Sequence, residues 1–123
     1  MKKIIMLCMC AMMLCSCGTE EKETEKASSQ IINCTQKEEL MNQGAVLIDV
    51  RTSSEYAEGH LDKSINLTVD TIGVNIEKLV SDKNTKIIVY CRSGNRSATA
   101  AQTLINLGYK NVYDLGAMSN CSN

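Results

Sequence analysis

The stretch Lys86-Ile87-Ile88-Val89-Tyr90-Cys91-Arg92-Ser93-Gly94-Asn95-Arg96-Ser97, KIIVYCRSGNRS, decides how the chain is read. Ile87 to Tyr90 lack the polar alternation of a half-exposed strand, so they fit a strand covered on both faces, as in a parallel sheet. A cysteine, two arginines and small polar residues follow at once. Arg96 to Leu107 then places Ala100, Ala101, Leu104 and Ile105 on one side of a helix that stops at Gly108. Strand, loop and helix in this order put Cys91 at the carboxyl end of the strand, where open α/β sheets hold their ligands.

The same pattern extends outward. Val46-Leu47-Ile48-Asp49-Val50 is a second continuous apolar run, and Ile31-Ile32-Asn33, Ser64-Ile65-Asn66-Leu67 and Asn111-Val112-Tyr113-Asp114-Leu115 are shorter strand candidates. Thr35-Gln36-Lys37-Glu38 and Thr52-Ser53-Ser54-Glu55 read as capping boxes, so helices are expected from both points, ending at Gly44 and Gly59. Thr71 to Val80 spaces Ile72, Ile76, Leu79 and Val80 as a helix does. Alternating strands and helices predict an α/β domain with helices on both faces of a mostly parallel sheet.

The loop CRSGNR carries the chemistry. Gly94 permits the torsions of a tight turn in which successive N–H groups point inward as an anion nest. The following helix adds the positive end of its dipole, and Arg92 and Arg96 add permanent cations. All of these favour a thiolate, so Cys91 is expected to titrate below the ~8.5 of a free cysteine and to act as a nucleophile towards an oxyanionic substrate. Against this stands the plainer reading of Cys91 as a buried apolar thiol.

The chain has 123 residues, with 13 Lys and Arg against 14 Asp and Glu. Its start, MKKIIMLCMCAMMLCSC, has the charged and apolar layout of a secretory signal, too short for the ~20 residues of a comfortable membrane span. Leu14-Cys15-Ser16-Cys17 resembles the lipobox of bacterial lipoproteins, which implies a signal peptide over 1–16, lipidation of Cys17 and tethering to the extracytoplasmic side of a bacterial membrane, in the cell envelope. Residues 17–30 then form a flexible linker without aromatic or branched aliphatic side chains before Gln30, and 31–123 form one folded domain. Loss of Lys2 and Lys3 with the leader leaves 11 positive against 14 negative groups, a weakly acidic domain that excludes nucleic acid as a natural partner. No C-x-x-C pair and a single His60 argue against a zinc site. Of the seven cysteines, only Cys34, Cys91 and Cys121 remain for the domain, an odd number where disulfides form. Cys34 is read as a core residue of the first strand. Cys121 is read as a tail cysteine, a partner for Cys34, or a resolving thiol for Cys91.

From about Ile31 to Met118 the chain resembles a single-domain rhodanese, a rhodanese-like sulfurtransferase. The likeness rests on Leu47-Ile48-Asp49-Val50-Arg51 with Glu55-Tyr56 and Gly59-His60-Leu61, on Ser64-Ile65-Asn66-Leu67, and on Val89-Tyr90-Cys91-Arg92-Ser93-Gly94-Asn95-Arg96-Ser97. It implies a five-stranded parallel sheet flanked by helices. It also implies that Cys91 takes sulfur from an anionic donor such as thiosulfate and passes it as a persulfide to cyanide or a thiol, including a protein thiol. No cofactor or metal is called for. The N–H groups from Arg92 through Ser93, Gly94, Asn95 and Arg96 to Ser97 would stabilise the persulfide, with Arg92 and Arg96 attracting the donor. Asp49, Arg51, Glu55 and His60 are read as bracing rather than acid–base groups, because persulfide transfer moves few protons. Related phosphatases of this fold separate cysteine and arginine by five residues, whereas Arg92, Ser93, Gly94 and Asn95 alone intervene here, a tighter loop that suits sulfur over phosphate.

Family members commonly continue past the last strand to a tryptophan; Cys121 stands about where it would lie, so the C-terminal edge is expected to be weak. The other readings are a persulfide carrier or partner-binding module without turnover, and a thiol–disulfide exchange protein of the envelope. The domain is read as a monomer.

Overall fold

The computed structural model describes residues 28–121. The segment read as a signal peptide, Cys17 and the part of the expected linker before residue 28 lie outside the described residues. Five strands, β1 (Gln30–Ile31), β2 (Val46–Asp49), β3 (Ile65–Asn66), β4 (Lys86–Cys91) and β5 (Asn111–Ala117), form one sheet in the order β1-β5-β4-β2-β3. Every pairing is parallel. Helices α1 (Cys34–Asn42), α2 (Ser53–Glu58), α3 (Ile72–Leu79) and α4 (Asn95–Asn106) alternate with the strands, and a 3₁₀ turn, Met118–Asn120, follows β5.

The continuous apolar runs become β4 and β2 because these central strands are covered twice. Along β4, Ile87, Val89 and Cys91 pack with Ile72, Ile76, Ala100, Ala101 and Leu104 on the α3 and α4 side. Ile88 and Tyr90 pack on the opposite face with Ile32, Leu47 and Leu115, where Leu40, Met41 and Met118 close the layer. Strand alternation therefore sends Cys91 and Tyr90 to opposite faces. A register shift between β4 and β5 at Val89/Tyr90 leaves Leu115 unmatched and pairs Tyr90 with Gly116. Such a bulge bends the strand ends just where Cys91 must be aimed.

Three expectations change. The first helix is capped by Asn33, not Thr35: Asn33 Oδ1 accepts from Gln36 N at 2.8 Å, and Gln36 Oε1 accepts from Asn33 N at 2.9 Å. Asparagine is as strong a cap as threonine, and glutamine closes a capping box as glutamate does. Cys34 is consequently the first residue of α1 and not part of the first strand, which is shortened to Gln30–Ile31. Third, Leu79 turns outward and is 44% exposed, so α3 buries Ile72 and Ile76, with Val80 beyond its end. The Thr52 box is as read: Thr52 Oγ1 accepts from Glu55 N, and Glu55 Oε1 accepts from Thr52 N at 2.9 Å.

The C-terminal edge is held by a bond and not by an aromatic. Cys121 joins Cys34 in a disulfide with a sequence separation of 87, tying the 3₁₀ turn to the start of α1. A crosslink over so long a loop removes much of the unfolded chain's freedom, and such bonds contribute roughly 2–4 kcal/mol. Cys121→Ser is therefore expected to lower the urea unfolding free energy by roughly that amount. Addition of reductant should bring the wild type to the same value and leave the variant unchanged.

Candidate active site

Helix α4 begins at Asn95 with Gly94 as its N-cap, and no side chain caps it. The Cys91 sulfur takes that place: Gly94 N–H donates to Sγ at 2.9 Å and Ser97 N–H at 3.3 Å. Gly94 has φ 102°, a left-handed conformation that strains any residue with a side chain. This turn brings the Gly94 amide back over the sulfur. Ser97, fully buried, donates its hydroxyl to Gly94 O at 3.0 Å and locks the turn from within. The sulfur thus lies at the positive end of a 12-residue helix.

Burial pushes the Cys91 thiol up, but the side chain and amide of Ser97 and the amides of Gly94 and Ser93 outweigh it and hold it below its ordinary value. Because the thiolate is the nucleophile, alkylation of Cys91 by iodoacetamide should rise with pH through that lowered value and level off above it. The midpoint is expected below that of free cysteine under the same conditions. In Ser97→Ala, which keeps the amide donor but removes the hydroxyl that locks the Gly94 turn and helps hold the thiol down, the midpoint should move to higher pH; an unchanged profile would deny the Ser97 hydroxyl its part.

Arg92 and Arg96 do not stand free. Arg96 Nη1 and Nη2 donate to Glu55 Oε1 at 2.8 Å and Oε2 at 3.2 Å, and Arg92 Nε lies 3.4 Å from the same Oε2. Arg96 and the Thr52 amide hold the Glu55 carboxyl well below the usual carboxylate range, with burial opposing them. The capping box of α2 thus fixes the carboxylate on which both loop cations converge.

Below the loop, on the Tyr90 face, the strand ends are joined by a buried polar network. Asp49 and Arg51 form an ion pair, with Arg51 Nε 3.0 Å from Oδ1 and Nη2 2.7 Å from Oδ2, and the guanidinium also donates to Gly59 O at 2.7 Å. Tyr90 Oη lies 2.8 Å from Asp49 Oδ2 and 3.0 Å from Ser64 Oγ, and accepts from Leu61 N at 3.0 Å. Burial pushes the Tyr90 phenol up to about 12, so its one proton stays on and is donated to the Asp49 carboxylate. Asn66 Nδ2 donates to the carbonyls of Asp49 and Arg51, each at 3.0 Å. His60 is exposed; its ring stacks on Tyr56 with centroids 3.6 Å apart, and Nδ1 donates to Tyr56 O.

All the loop residues that the sequence singles out, Cys91 to Ser97, come together at one end of the sheet, with Asp49 and Arg51 beneath them and His60 facing solvent. Tyr90 and Ser64 are members of this network that sequence reasoning misses. Tyr90 carries a signal, since a tyrosine inside a doubly covered strand needs a partner for its hydroxyl. A cavity of about 200 Å³ opens between Arg51, Arg92, Met118 and Ser119, so the disulfide-tied turn borders Arg92. Among the described residues, no group of His, Cys, Asp or Glu could hold a metal ion.

A model of the rhodanese-like domain matches residues 34–120. Among solved structures, a rhodanese from E. coli described with anions is 31% identical, with 63% of this chain and 92% of that one covered and a TM-score of 0.61. A rhodanese-related protein from Thermoplasma volcanium is 30% identical over 72% of this chain and 85% of that one, with a TM-score of 0.60. A human single-domain sulfurtransferase, at 22% identity, covers 71% of this chain and 88% of its own with a TM-score of 0.61, a likeness of fold.

Proposed function

The chain belongs to the rhodanese-like domain family, and from that membership we propose that it moves a sulfane sulfur from a donor such as thiosulfate to a thiophilic acceptor through a persulfide on Cys91. The observation that carries this reading is the Cys91 sulfur held between the Gly94 and Ser97 amides at the start of α4.

In the first step the thiolate attacks the outer sulfur of thiosulfate. An S–S bond forms at Cys91, the bond to the sulfonate sulfur breaks, and its electron pair leaves with sulfite. The persulfide anion stays beneath the loop amides, which donate to it as they do to the thiolate. Cyanide or a thiolate then attacks the terminal sulfur, and the electron pair returns to Cys91. No proton has to move between the two half-reactions, so Asp49, Arg51 and His60 need only hold the scaffold. Cys121 is bonded to Cys34 and so is not available to resolve the persulfide.

We further propose that the domain works in a bacterial cell envelope, lipid-anchored through Cys17. The Leu14-Cys15-Ser16-Cys17 stretch supports this, and the Cys34–Cys121 disulfide accords with an oxidising compartment.

The test is to incubate the domain with thiosulfate and measure intact mass, then add cyanide. Cys91 should gain the mass of one sulfur atom and lose it as thiocyanate. A protein that takes up no sulfur on Cys91 would refute the reading.

A further inference from the structure

The two cations of the loop share one anion that comes from another element. Glu55 is the third residue of α2, and its Oε1 is fixed by the Thr52 amide at 2.9 Å. Its two oxygens take both Nη groups of Arg96, and Oε2 also faces Arg92. The Glu55 and Arg96 side chains are 20% and 33% exposed, whereas Arg92 is 67% exposed. Asp49 and Arg51 cancel one another beneath the loop. Arg92, Arg96 and Glu55 together therefore offer an approaching donor a net charge of one positive unit and not two, with the Cys91 thiolate still to be set against it.

We propose that Glu55 determines which sulfur donors the Cys91 loop accepts, by charge: it favours singly charged sulfane-sulfur donors over the dianion thiosulfate. This rests on the sulfurtransferase reading above. A thiosulfonate of general form R–SO2–S⁻ presents the same outer sulfur as thiosulfate with one negative charge fewer. The Cys91 thiolate bonds to that outer sulfur, the bond to the sulfonyl sulfur breaks, and the electron pair departs with the sulfinate R–SO2⁻. The charge balances as it does for thiosulfate and sulfite. Glu55 touches neither reacting sulfur in this step; it acts through the arginines.

Glu55→Gln isolates the charge. Glutamine at the third position closes a capping box, as Gln36 already does in α1, so α2 keeps its start while the carboxylate is lost. The measurement is kcat/KM for thiosulfate and for methanethiosulfonate at one ionic strength with saturating cyanide, in both proteins. One unit charge acting on one unit of donor charge is worth a factor of about five at about 4 Å in water and less farther away. The ratio of thiosulfate to methanethiosulfonate should therefore rise in Glu55→Gln, by up to about fivefold, and the gain should shrink as salt is added. Because both donors are read on the same protein, any loss of folded enzyme cancels from the ratio.

A ratio that is unchanged or falls overturns the proposal. A second arm needs no turnover: sulfate, a dianion, and methanesulfonate, a monoanion, are compared as protectants of Cys91 against iodoacetamide. Glu55→Gln should gain protection by sulfate relative to methanesulfonate. If neither protein moves sulfur from either donor, the sulfurtransferase reading fails, and this arm alone decides the role of Glu55. Equal selectivity in the two proteins, or no protection by either anion, overturns the proposal.

Discussion

Cys91→Ser is expected to take up no sulfur from thiosulfate and to lose thiocyanate formation by on the order of 10⁴-fold or more, the scale on which removal of a covalent nucleophile falls. A serine hydroxyl has no anionic form near neutral pH, and the hydrogen bonds to the Cys91 sulfur come from the amide N–H groups of Gly94 and Ser97, neither of which is a base. Such donors stabilise an anion but cannot make one from an alcohol. The fold should survive, because the serine oxygen can accept from the same two amides and the volume lost is small. Equal urea midpoints for Cys91→Ser and wild type, with activity gone, would separate the chemistry from stability. Residual thiocyanate formation near the wild-type rate would mean that sulfur travels by another group.

Asp49→Asn is expected to destabilise the domain by about 3–5 kcal/mol, the cost of leaving a buried charge without its partner. Arg51 and Asp49 side chains are only 4% and 0% exposed, so water is a poor replacement for the lost carboxylate. An asparagine turns at least one N–H group towards a guanidinium that itself only donates. Against a total stability of roughly 5–15 kcal/mol, this is enough to leave a large unfolded fraction at physiological temperature. The damage belongs to the broken pair and not to the absence of charge. The double variant Asp49→Leu with Arg51→Met, which removes both ions, should therefore recover much of the loss. Urea unfolding of the three proteins decides it, and a cost below about 1 kcal/mol for Asp49→Asn would mean the pair is solvated.

Interactions between near neighbours account for most of what is legible in the chain. The apolar runs of β2 and β4, the Thr52 box, the glycine after Cys91 and the helix behind it are all local, since each depends on residues within a few positions. They place Cys91 at a strand end beside a glycine turn, and there it is found, with the Gly94 amide donating to its sulfur. The Asn33 cap escapes the same reading for a local reason too: Thr35 and Glu38 offer the same pattern two residues later, and hydrogen-bond geometry alone distinguishes the two boxes.

The sequence by itself determined the α/β class, the order of elements and the loop that holds the sulfur, because strand, turn and capping preferences act over short range. Only the tertiary structure decided what the loop's arginines do. Arg96 meets Glu55 and Tyr90 meets Asp49 across 41 residues each, and Cys34 meets Cys121 across 87. Those contacts exist because β2 and β4 lie side by side in the sheet while α1 and the 3₁₀ turn share one face. A charge read along the chain looks free until the sheet brings its counter-charge within hydrogen-bonding distance, and so the two cations counted in CRSGNR share, in space, one carboxylate from α2.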